Sequence, residues 1–161
     1  MAYEWAQRLG DMRVMTWDKI DLDKKRMDIT QSKRNADVHL PISAELMHVL
    51  EQQHKSFGFQ DYVAPQITHS EGSYKPYMKG NLSSYINSIK EAADLPQELT
   101  AMDMRRTAIT EMVEAGVDVL QIKQVSGHKN IKSLDPYLKH TFSGASSALA
   151  QRQAHKVKED T

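Results

Sequence analysis

Apolar and polar residues alternate in two short stretches of this chain, RMDITQ at 26–31 and DVHLPI at 37–42, with the polar stretch SKRNA between them. Period-two alternation gives each stretch one buried face, so the pair reads as a β-hairpin with a polar tip. Beyond it the period changes. Leu46, Val49 and Leu50 follow Ser43 at helical spacing, which predicts a helix capped by Ser43 and running to about residue 54. Leu82, Tyr85, Ile86 and Ile89 share one face of a second helix over 81–93, and a third spans 103–114 and stops at Ala115-Gly116. A fourth is capped by Asp118, runs through Val125 and ends at Gly127. Asp135-Pro136 has the form of a helix start, and residues 145–157 form a last helix. Residues 1–14 read as helical with a break near Gly10, residues 17–23 as a turn-rich connection, and 57–79 as irregular with one short strand at Tyr62-Val63. The expected fold class is α+β, mainly α-helical, with a small antiparallel β-sheet near the N-terminus.

The chain has 161 residues, a length that suits one domain with its own core. It contains no cysteine, which excludes disulfides, thiolate chemistry and Cys-ligated zinc. No apolar run approaches the roughly 20 residues needed to span a bilayer, so a cytoplasmic protein without a membrane partner is expected. The seven histidines are scattered without metal-ligand spacing, and no metal is assigned. Basic and acidic residues balance at 21 each, which argues weakly against nucleic-acid binding. The average hides an asymmetry: between positions 123 and 158 stand seven basic residues and one acid, Asp135. Such a quarter can present a cationic face from a neutral protein.

Four segments carry candidate chemistry: QRLGD at 7–11, QSK at 31–33, DMRRT at 103–107, and SGH at 126–128, which places His128 nine residues before Tyr137. Their order and spacing resemble the tyrosine recombinase (phage integrase) family. That family has an arginine followed three positions on by an acid, a lysine in a hairpin, a His-x-x-Arg helix start, a Gly-His pair and a tyrosine. The flanking WDKID at 17–21, LPIS at 40–43 and YLKHT at 137–141 agree, so the resemblance runs from about residue 7 to 141. It implies an integrase-type catalytic domain filling the chain, N-terminally truncated, with the core-binding and arm-binding domains of complete recombinases absent.

By this resemblance Tyr137 is the nucleophile, attacking a DNA phosphate to form a 3′-phosphotyrosine and expel a 5′-hydroxyl, with no cofactor required. Arg8 and Arg105 would hold the phosphate, because a guanidinium is always charged and grips phosphate through a rigid fork. Losing one such preorganised donor costs about 3–4 kcal/mol of barrier. His128 would donate a further hydrogen bond, and Lys33 at the hairpin tip would protonate the leaving oxygen. A phenol of pKa about 10 needs help to ionise, and a place just after Pro136 would set Tyr137 near the positive end of a helix dipole. Asp11 would orient Arg8. Lys129, Lys132, Arg106 and Lys139 are candidate DNA contacts. Partners implied are double-stranded DNA at specific recombination sites and further copies of the chain: a tetramer on DNA, a monomer in isolation. The last residues, 142–161, would dock on a neighbouring protomer.

One position departs from the pattern. The family's histidine falls on Met102, a thioether that exchanges no proton, which warns of slow cleavage. Two other readings stay open: a non-enzymatic module in which residues 107–125 act as a helix-turn-helix, and a decayed recombinase that keeps only the fold.

Overall fold

The computed structural model describes residues 1–33, 35–67, 74–138 and 142–159. The predicted hairpin is there as β2 (Arg26–Thr30) and β3 (Asp37–Pro41), antiparallel, with Asp28 opposite His39. Alternation fixes the register: Met27, Val38 and Leu40 face inward, while Arg26, Asp37, His39 and Pro41 face water. A short strand, β1 (Ile20–Asp21), pairs with β2 and completes a three-stranded sheet where the sequence suggests only a turn-rich connection. A 3-10 turn at Trp17–Lys19 leads into it.

Helix α2 (Ala44–Phe57) starts as expected, with Ser43 Oγ accepting from the Leu46 amide, and continues three residues past the predicted end. Its buried side chains Leu46, Met47 and Leu50 pack on the sheet together with Trp5, Met12, Met15, Met27, Val38 and Leu40. Two further short strands, β4 (Pro65–Ile67) and β5 (Tyr74–Pro76), pair with each other, whereas the strand expected at Tyr62-Val63 reduces to a single bridge from Tyr62 to Thr16.

Helices α3 (Lys79–Ala92), α4 (Ala101–Glu114) and α5 (Val119–Ser126) follow, close to their predicted bounds. Asp103 does not open α4. Thr100 does, and its backbone amide and hydroxyl both donate to Asp103 Oδ2, at 2.6 and 2.9 Å. Such a pair satisfies otherwise orphaned donors of a first turn. A second apolar cluster forms where Ala108 and Ile109 of α4 meet Ile122 of α5, Leu134 and Ala6.

Two expectations are corrected here. The N-terminal 14 residues are not one helix broken at Gly10: residues 1–7 are hydrogen-bonded turns, and α1 is only Leu9–Met12, with Gly10 inside it. Asp135-Pro136 does not start a helix either. Asn130 caps a 3-10 helix over Ile131–Tyr137, and Pro136 lies inside it. Tyr137 therefore ends that helix, and the expected help from the positive end of a dipole is withdrawn. The final helix, α6 (Phe142–Glu159), is longer than predicted, and every described residue of it from 144 to 156 is exposed.

Candidate functional site

Six charged or polar residues are buried among the described residues, and four of them, Gln7, Gln31, Arg105 and Ser126, join one hydrogen-bonded seam. Burying polar groups is tolerable only when each finds partners, so the seam can be followed bond by bond. Arg105 projects from the second turn of α4 and is 4% exposed. Its Nη1 donates to the Ala6 carbonyl at 2.9 Å and its Nη2 to the Ser126 carbonyl at 2.8 Å, with His128 Nε2 at 3.3 Å.

Arg8 reaches the same seam from the turn before α1. Its Nη1 donates to Gln31 Oε1 at 2.8 Å, while Gln31 Nε2 donates to the Ser126 carbonyl at 3.0 Å and to Gln7 Oε1 at 2.6 Å. Gln7 Nε2 in turn donates to the carbonyls of Trp5 and Val125, both at 2.7 Å. The two guanidiniums, 97 positions apart in sequence, thus stand one carboxamide and one shared carbonyl from each other. The Arg8 side chain keeps 18% exposure, so this cation faces solvent at the edge of the seam.

His128 is placed by the end of α5. Gly127, with φ of +67°, closes that helix in the left-handed region, which costs a glycine no steric clash. The chain then turns so that His128 Nδ1 lies 2.6 Å from Ser126 Oγ. That hydroxyl donates to the Ile122 carbonyl at 2.7 Å, so Nδ1 is the donor to Oγ, and Nε2 of a neutral ring accepts from Arg105. Beside His128 an open cleft of about 600 Å³ lies between Asp37 at the hairpin, Lys123 and Gln124 of α5, and Lys129 just beyond it.

Asp11 has a different first partner from the one expected. It lies 3.9 Å from Arg8 but accepts from the Ser32 amide at 3.1 Å and the Ser32 hydroxyl at 2.5 Å. It therefore ties down the turn that carries Lys33, which is itself exposed. Tyr137 is half-buried and packs on the cluster of Ala6, Ala108, Ile109, Ile122 and Leu134. Met102 is 52% exposed in the first turn of α4. Lys129, Lys132 and Arg106 are exposed, Arg106 lying 3.7 Å from Asp103, and Lys139 lies outside the described residues. Among the described residues no group of three or more His, Cys, Asp or Glu is placed to hold a metal ion, and no helix is long and apolar enough to cross a membrane. Sequence reasoning passed over Gln7, Gln31 and Ser126 as site residues. The signal was weak but present, since Gln7 adjoins Arg8 and Gln31 stands two positions before Lys33.

This mainly helical domain gathers two guanidiniums and an imidazole on one hydrogen-bonded seam, and a guanidinium fork is matched in geometry to phosphate oxygens. The chain belongs to the phage integrase family, whose pattern it matches over residues 1–143. No curated protein sequence matches it. Solved structures with the same fold include the XerA recombinase, at 17% identity and a TM-score of 0.70, covering 94% of this chain and 54% of that one. The Tn1549 transposon integrase in complex with circular intermediate DNA gives 16%, 0.72, and 92% against 54%. A lambda integrase dimer bound to a COC′ core site gives 19%, 0.63, and 81% against 48%. The chain thus spans about half the length of these structures.

Proposed function

We propose that this chain is the catalytic domain of a site-specific DNA recombinase that cleaves and rejoins DNA strands through a covalent 3′-phosphotyrosine on Tyr137. The observation that supports it most is the meeting of Arg8 and Arg105, with His128 against the second. Family membership supports it independently. A helix-turn-helix module would need none of these residues together, and α4 and α5 instead bury Ile109 and Ile122 against each other inside the recombinase fold.

In the proposed reaction the Tyr137 oxygen attacks phosphorus and gives up its proton to solvent water. The new O–P bond forms as the bond to the 5′ oxygen breaks, and Lys33 supplies the proton that this oxygen takes. Arg8 and Arg105 hold the nonbridging oxygens, where negative charge accumulates in the transition state, and His128 adds a donor there once Nε2 carries a proton in place of its contact with Arg105. Rejoining is the reverse, with a 5′-hydroxyl attacking the phosphotyrosine. Bond energy is conserved in the linkage, so neither a nucleotide nor a metal enters. Lys129, Lys132, Arg106 and Lys139 would contact the DNA backbone, fixing position rather than sequence. The active assembly would be a tetramer on DNA, with α6 docking on a neighbouring copy. The exposure of α6 along its described length favours that docking.

Incubation with nicked half-site DNA followed by denaturing electrophoresis tests the reading. The expected result is a shifted covalent band that Tyr137→Phe abolishes and Met102→His strengthens. No band, even with a core-binding domain supplied in trans, would leave a decayed recombinase as the better reading.

A further inference from the structure

We infer that Gln31 is a positioning residue for the phosphate pocket, holding the Arg8 guanidinium in register with Arg105; this rests on the function proposed above. Gln31 is 0% exposed and stands immediately after β2, two positions before Lys33. Both ends of its carboxamide are used. Oε1 accepts from Arg8, and Nε2 donates to Gln7 Oε1 and to the Ser126 carbonyl that also receives Arg105. No other residue touches both halves of the pocket in this way among the described residues.

The seam is polarised in one sense. Gln7 donates to two backbone carbonyls and so must present its oxygen to Gln31. Gln31 must then present nitrogen to Gln7 and oxygen to Arg8. A flipped amide would face like against like at both ends. The chain of constraints runs from the Trp5 and Val125 carbonyls to the Arg8 guanidinium. Alone, that side chain would sample several rotamers at the edge of the seam. Among the described residues its only other partner is Asp11, at 3.9 Å. Fixing Nη1 on Gln31 leaves Nη2 and Nε of Arg8, which have no partner among the described residues, to meet a phosphate.

Space at Gly127 is part of the same device. A Cβ there would lie 2.6 Å from Gln31 Cδ and 2.7 Å from its Oε1. The glycine therefore serves the carboxamide as well as its own positive φ.

Gln31→Leu removes the clamp, and Gln31→Glu separates its two functions. A glutamate keeps an acceptor for Arg8. Only its protonated form can donate toward Gln7 Oε1 or Ser126, and the ionised form also pairs with Arg8 and competes with phosphate for it. The charged and titratable groups around it are Arg8, Asp11, Arg105, His128 and, two residues on, Lys33. All are shared with the unmodified chain, so the rate ratio of variant to unmodified chain isolates the new carboxyl. On nicked half-site DNA, Gln31→Leu should slow covalent adduct formation about 10- to 100-fold, with half-site affinity changed less than about threefold. The ratio for Gln31→Glu should rise as pH falls from about 8 to about 5.

A second readout needs no activity. In nitrogen-15 spectra of the DNA-free chain, the Arg8 Nη signals should be resolved in the unmodified protein and averaged in Gln31→Leu, while those of Arg105 stay resolved. If the unmodified chain forms no adduct, the recombinase reading fails by itself, and Gln31 is judged on these spectra. Unchanged Arg8 signals in Gln31→Leu, a full-rate Gln31→Leu enzyme, or a pH-independent Gln31→Glu ratio would each overturn the inference. Should Gln31→Leu not fold, Gln31→Met, which keeps the volume and removes both ends of the carboxamide, takes its place in both measurements.

Discussion

Helix α4 has two sides that treat water in opposite ways. On one, Arg105 is 4% exposed and bonded to the carbonyls of Ala6 and Ser126. On the other, its neighbour Met104 is 40% exposed and, with Tyr3, Ile86, Ile89, Leu95 and Leu99, lines an open apolar cleft of about 350 Å³. Energetically this is inverted: a guanidinium loses several kcal/mol of hydration when buried, and apolar surface gains by leaving water. The buried charge is tolerated because the carbonyls of Ala6 and Ser126 and the His128 imidazole stand ready for it. The open apolar face fits a contact surface, which is what an exposed hydrophobic patch generally marks.

If that contrast is right, removing Arg105 should have the largest effect on the fold. Arg105→Met fills similar volume but leaves the Ala6 carbonyl unsatisfied and halves the bonding of Ser126. A buried orphan costs about 1–3 kcal/mol, so urea unfolding should show a loss of about that size. A loss below about 1 kcal/mol would mean the seam contributes little to holding α4 and α5 against the N-terminal turns.

The polar side of this contrast was partly legible in the sequence. Arg8, Arg105 and His128 stand in motifs with fixed spacing, and the structure brings them onto one seam. Gln31 was not legible as a site residue, because a glutamine beside a polar turn reads as solvated until the β2–β3 pairing carries it inward. The same limit applies to the elements. Alternation over five or six residues showed the hairpin, and the Ser43 cap showed α2. The strands β4 and β5 are three residues each and begin or end in proline, too short for any period to register. Asp135-Pro136 misled because the dipeptide signals a helix start only when nothing upstream has begun one. Here Asn130 had already capped the 3-10 helix, its Oδ1 accepting from the Lys132 amide at 2.9 Å.

The start of α4 gives a smaller test of how firmly that helix is set between its two sides. Hydrogen bonds from the Thr100 amide and hydroxyl, followed by the Arg106 charge, hold the Asp103 carboxyl below the usual aspartate range. A carboxyl with a lowered folded pKa stabilises the fold fully above its unfolded value of about 4, and that contribution fades as pH falls through the folded value. Asp103→Asn should therefore lower the urea midpoint by a constant amount from about pH 7 to about pH 5, and the gap should narrow progressively as pH falls below about 4. A gap unchanged down to acid pH would show that the capping box does not depend on the charge.

The smallest expected effect lies on the apolar side. Ile89 is 63% exposed on α3, so Ile89→Lys removes little buried area and keeps a good helix former at that position. Its stability should stay within about 0.5 kcal/mol of the unmodified chain, the ordinary range for a surface position. What should change is association, because a charge at the rim of the cleft opposes any apolar partner there. Light scattering at high concentration should show less self-association than the unmodified chain. If Ile89→Lys instead destabilises as much as Arg105→Met, the cleft is closed in solution by the chain's own packing. The opposition between the two sides of α4 would then disappear, since both would belong to the core.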